Sequence, residues 1–122
     1  MQTLIYLSLI LNIAVLVPIV VLMVVKSPLV DTAWGSFTAA RGILLSIYFA
    51  ILVASIVLLL LPVTAFIAAL LSVQVIYKVT TPFTVGTFRN PVVISNLVIS
   101  AVHIVTLSSI VSSMGTELVG LT

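Results

Sequence analysis

The sequence predicts an all-α integral membrane protein: four transmembrane helices arranged as two helical hairpins with short loops, in a single domain covering 1–122. Three observations lead there. Hydrophobic residues make up 63% of the chain and charged residues 5%, with a mean hydropathy of +1.54. A soluble domain carries about 25% charged residues, so this chain has too few to cover a water-facing surface. Its apolar residues fall in runs long enough to cross a hydrocarbon core about 30 Å thick, which takes roughly 20 helical residues. Those runs are continuous rather than alternating, which selects helices over a barrel, and open strands would leave unpaired backbone groups in lipid.

The first run, MQTLIYLSLILNIAVLVPIVVLMVVK, lacks the basic start, the short apolar stretch and the small-residue cleavage site of a secretory signal. It reads as a retained span over about 3–25, with Pro18 tolerated at membrane depth and kinking the helix. From Gly42 to Tyr77 there is no charge. A single straight helix over 42–77 would measure about 54 Å at 1.5 Å per residue, more than tilt absorbs. Divided at Leu61-Pro62, the run becomes two spans, about 42–61 and 62–78. Pro62 is expected in the first turn of the latter, where a missing N–H matters little, and it steers Leu61 out of the α region. The fourth span covers about 92–114. Two polar segments, 26–41 and 78–90, separate the spans.

All four basic residues, Lys26, Arg41, Lys78 and Arg89, border those two segments. A turn at Pro62 brings both segments to one side, and the positive-inside bias makes that side cytoplasmic. Both termini, with Glu117, then lie on the opposite side of a bacterial inner membrane or its equivalent. Trp34, Phe37, Phe83, Phe88, Tyr6 and Tyr77 suit the interface as aromatic anchors.

Small residues recur every fourth position in the second span, at Gly42, Ser46, Ala50 and Ala54, a row that lets another helix approach closely. Internal packing of the bundle is the first reading of this row, and docking against another subunit the second. Polar residues at membrane depth form a second pattern. Asn96, Ser100 and His103 fall at i, i+4 and i+7 on one stripe of the fourth span, with Thr106 a turn beyond, while Asn12 and Gln74 can face the same interior. Interhelical hydrogen bonding is their expected role.

The exclusions are broad. Without Cys there are no disulfides, iron–sulfur clusters or thiolate zinc sites. The two acids, Asp31 and Glu117, lie outside the spans, so paired-carboxylate catalysis and carboxylate metal sites lack their residues. No charge is expected inside a span, which leaves an ion-coupled carrier without a coupling group. A net charge of +2 is too small for a nucleic-acid footprint. A bis-histidine haem cannot be completed by His103 alone; one pigment or one quinone could use it, but no cofactor beyond lipid is expected. In size the chain resembles the small multidrug-resistance exporters, yet where they carry an acid in the first helix it has Asn12.

The sequence therefore points to a non-catalytic accessory, structural or assembly subunit of a larger membrane complex, such as a respiratory or photosynthetic one. It would act through helix contacts with other membrane subunits and lipids. The alternative is a small homo-oligomeric pore or transporter for a neutral solute.

Overall fold

A computed structural model describes the backbone of residues 2–121 and the side chains of 2–113. Helix α1 (Gln2–Val24) leads through a 3-10 turn (Pro28–Val30) into the short α2 (Asp31–Trp34), followed by α3 (Ala39–Leu60), α4 (Thr64–Val85) and α5 (Pro91–Leu121). Helices α1, α3 and α4, and α5 over Pro91–Ser113, are long and apolar enough to cross a membrane. Among the described residues there is no strand. The two hairpins are present: α1 packs chiefly on α3 and α4 chiefly on α5, α1 joins the pairs through α5, and the α3–α4 seam is thin. Asn90 Nδ2 donates to the Ala33 carbonyl at 2.9 Å, so both polar connections sit at one end of the bundle.

Local chemistry fixes the helix borders. α1 runs unbroken through Pro18 and closes over Lys26, whose φ is 55°. The Ser27 N–H reaches back to Leu22 and the Lys26 N–H to Met23, a closure in which the left-handed position usually goes to glycine. The Lys26 ammonium lies 4.2 Å from the centre of the Phe37 ring. Thr38 caps α3 by accepting the Arg41 N–H at 3.2 Å. Leu61, at φ −129° and ψ 77°, ends α3 under the steric pressure of the following proline. Pro62 does not, however, open the next helix: Val63 is its N-cap and α4 begins at Thr64. The proline breaks one helix without starting the other.

The larger correction concerns α4. It does not end at 78 but continues through Pro82 to Val85, where Gly86 closes it at φ 87°, with its N–H on the Pro82 carbonyl at 3.0 Å. The segment 78–90 is therefore mostly helix, and the connection is only 86–90. Threonines give this stretch its polar, loop-like composition. Thr80, Thr81 and Thr84 donate their hydroxyls to carbonyls three or four residues back, so their polarity is satisfied within the helix and signals no loop. At the far side Asn90 caps α5, accepting the Val92 N–H at 2.8 Å, and Pro91 takes the first helical position. The side chain of Glu117 lies outside the described residues.

Arg41 was expected on the rim but is buried. Its Nη1 donates to the Asp31 carboxylate and, at 2.6 Å, to the Gly35 carbonyl, tying α2 to the start of α3. Removing one partner of such a pair strands a buried charge, although Asp31 itself is about half exposed. Asp31→Ala is expected to destabilise the detergent-solubilised protein by about 1–3 kcal/mol, read as a lower melting temperature. Asp31→Glu, which keeps the charge, should recover most of it.

Candidate functional site: a polar core and a lysine-lined cavity

Each long helix turns a polar stripe inward. α1 contributes Ser8 and Asn12, α3 Arg41, Tyr48 and Ser55 at seven-residue spacing, α4 Gln74 and Lys78, and α5 Asn96, Ser100, His103 and Thr106, all of them buried. The spacings of three, four and seven are those that keep side chains on one helical face. Apolar neighbours on the same faces seal them in, with Leu9, Ile67, Leu71 and Ile110 toward the termini and Leu16, Met23, Ile51 and Leu52 toward the connections.

One residue from each of the four long helices meets at the centre. Asn12 Nδ2 donates to Ser55 Oγ at 3.1 Å and to Gln74 Oε1 at 2.8 Å. Its Oδ1 accepts from Gln74 Nε2 at 3.2 Å and lies 2.9 Å from His103 Nε2. A carboxamide oxygen only accepts, so His103 Nε2 carries a proton here. Asn12 thus uses both donors and both acceptor sites on three other helices. Toward the termini, Ser8 and Thr106 hydroxyls pair at 2.7 Å, with Thr106 also within 3.2 Å of the Leu4 carbonyl. Toward the connections, Lys78 Nζ donates to Asn96 Oδ1 at 3.3 Å, and Asn96 Nδ2 reaches Thr81 Oγ1 at 3.4 Å. Among the described residues three buried polar side-chain atoms have no partner: Ser100 Oγ, His103 Nδ1 and Tyr77 Oη.

Of the residues picked from sequence, Asn12, Gln74 and His103 come together. Asn96 does not reach them and pairs with Lys78, while Ser100 stands between the two groups unpaired. Ser8, Ser55 and Tyr48 were not anticipated. Lys78 was placed on a loop rim as a topology-setting charge; it lies inside the α4 span, 5% exposed. The expectation of no charge within a span therefore fails. Tyr77, expected as an interfacial anchor, instead turns its hydroxyl into the core.

The small-residue row does not pack the interior. Ser46 and Ala50 are exposed, and Gly42 and Ala54 only partly covered, because Tyr48, Ile51, Leu52, Ser55 and Leu58 take the inner face of α3. Along the outer face runs a shallow apolar groove lined by Phe49, Ala50, Val53, Ala54, Val57 and Leu58.

Two adjoining cavities open at the connection end. One of about 230 Å³ lies among Leu16, Ile19, Trp34, Tyr48, Lys78 and Asn96. The other, about 300 Å³, shares Trp34, Tyr48 and Asn96 and extends to Tyr77, Thr81 and Asn90. Trp34 Nε1 donates to Tyr48 Oη at 3.3 Å across their common wall. His103 lines neither cavity; it sits about 10 Å further along α5 than Asn96, at 1.5 Å per residue. Among the described residues no three His, Asp or Glu side chains converge as a metal would need.

Comparison with family models, curated proteins and solved structures finds no match.

Proposed function

We propose that this chain is a non-catalytic small subunit of a larger membrane complex, acting through helix–helix and lipid contacts and holding no cofactor of its own. The observation that carries this reading is the outward face of α3. Ala50 and Ala54 of its small-residue row line a groove that the bundle does not use, and the Ser46 hydroxyl is satisfied by the Gly42 carbonyl at 3.3 Å. The face can therefore meet another helix without stranding a polar group, and small residues are what close packing in lipid requires. The closed hydrogen-bonded node around Asn12 supports a scaffold rather than a reaction centre.

The proposed setting is a bacterial inner membrane or equivalent, with the connections 25–38 and 86–90 cytoplasmic and both termini opposite. Lys26, Arg41 and Arg89 at the connection end favour that orientation, while Lys78, buried within α4, does not bear on it. Respiratory and photosynthetic assemblies are suitable hosts. A homo-oligomeric pore or carrier for a neutral solute is the second reading, favoured by the second cavity, whose lining carries no charged residue.

The test is extraction from the native membrane in a mild non-ionic detergent, followed by native electrophoresis and mass spectrometry. A large band with defined partner subunits is expected, and Ala50→Phe should release the chain from it. Migration as a small homo-oligomer, with solute flux after reconstitution alone, would instead establish the pore.

A further inference from the structure

We propose that the cavity beside Lys78 binds a small monocarboxylic acid as its anion, with the carboxylate on the Lys78 ammonium and the apolar chain along Val15, Ile19 and Val92. This goes beyond the subunit reading and stands or falls separately from it.

Charge carries the first part of the argument. Lys78 is 95% removed from solvent exposure, being 5% exposed within a membrane span, and lines the cavity wall. An ammonium in such a place calls for an opposite charge. No described residue supplies one. Asp31 is engaged by Arg41, and Glu117 stands about 30 Å along α5 from Asn96 at 1.5 Å per residue. The partners Lys78 does have are neutral: the Asn96 amide oxygen at 3.3 Å and the Tyr77 ring, whose centre is 5.0 Å from Nζ. An ammonium offers three donors, so two remain for a ligand.

The lining sets the class. Besides Lys78 and Asn96, the cavity is walled by Val15, Leu16, Ile19 and Val92, with Ser95 and Tyr48 as the remaining hydroxyls. Tyr48 accepts the Trp34 N–H and keeps its own proton to offer. A single cation balances one negative charge; a dianionic phosphate would leave the second unbalanced in a medium where that is expensive. A cation is repelled, and a neutral solute would leave Lys78 unanswered. The volume of about 230 Å³ equals roughly eight waters at ~30 Å³ each, room for a short apolar chain behind the carboxylate. The same chemistry arrives from two sources, a free short-chain acid or the carboxyl end of a fatty acid whose tail stays in the bilayer.

Trp34 is the only tryptophan in the chain and lines the cavity, so its fluorescence reports occupancy directly. The purified full chain, in zwitterionic-lipid nanodiscs, is titrated with hexanoate, with hexanol of the same chain length, and separately with dibrominated stearate, a quencher on contact. Saturable change with hexanoate and none with hexanol is the expected result for a free acid; saturable quenching by the stearate alone identifies a bilayer source. Lys78→Met should weaken either response by about ten- to a hundredfold, the loss of a charge-assisted bond. Asn96→Asp keeps a folding control in hand: it puts a carboxylate in place of the amide that Lys78 contacts and should also abolish binding, by occupying the ammonium from within. No saturable response to either acid, or an equal response in Lys78→Met or in folded Asn96→Asp, overturns the proposal.

Discussion

Asn12→Ala is expected to destabilise the bundle by about 2–4 kcal/mol, the largest loss from any single interior truncation. Single interhelical hydrogen bonds in membranes contribute about 0.6–2 kcal/mol each, and Asn12 takes part in contacts to Ser55, Gln74 and His103 on three helices. The direct losses are compounded, because the residues left behind have no alternative. Ser55 and His103 are fully buried and Gln74 nearly so, and a polar group stranded in the interior costs about 1–3 kcal/mol. A double-mutant cycle separates the pair from its surroundings. Asn12→Ala with Gln74→Ala should show a coupling of about 1–2 kcal/mol, since the two amides exchange reciprocal bonds. Asn12→Ala with Ser8→Ala should add within about 0.5 kcal/mol, since Ser8 belongs to the separate pair with Thr106. The readout is reversible unfolding in mixed micelles. A loss below about 1 kcal/mol for Asn12→Ala would mean the node is not what holds the hairpins together.

The course of the chain was legible because membrane physics leaves few options. Length alone required a break between Gly42 and Tyr77, and Pro62 was the one residue there that could make it. The stripe of Asn96, Ser100, His103 and Thr106 was legible for a similar reason: polar residues at helical spacing in an apolar run have one place to go. For Lys78, charge points to a span end and periodicity points inward, and periodicity prevails. Ile67, Leu71, Gln74, Lys78 and Pro82 follow one another at spacings of three and four and form the buried face of α4, so Gln74 already fixed where Lys78 would point. On α3 the row Gly42, Ser46, Ala50 and Ala54 lies outward, while the row Arg41, Tyr48 and Ser55 faces the core. Both are regular, and small size alone does not tell a helix face that meets its own bundle from one that meets something else. What no spacing could supply was the pairing itself, such as Asn12 serving three helices, which depends on how far the hairpins slide past each other.

Lys78→Met gives the second large effect, and its sign is opposite. In the ligand-free protein the substitution is expected to stabilise by about 1–3 kcal/mol. Methionine fills nearly the same volume along the wall of the cavity, and replacing a buried charge by an apolar side chain removes a desolvation penalty that one amide at 3.3 Å only partly offsets. Asn96 loses an acceptor's partner, which reduces the gain, but its amide still reaches Thr81. With a saturating monocarboxylate the order should narrow or reverse, because a ligand that binds only the folded lysine form stabilises that form by mass action. Melting curves of both proteins, with and without hexanoate, supply the four numbers needed. A lysine that weakens the empty bundle and strengthens the occupied one is there for what it binds. If Lys78→Met instead lowers stability in the absence of acid, the side chain is a strut between α4 and α5 through Asn96, and the cavity loses its reason to attract an anion.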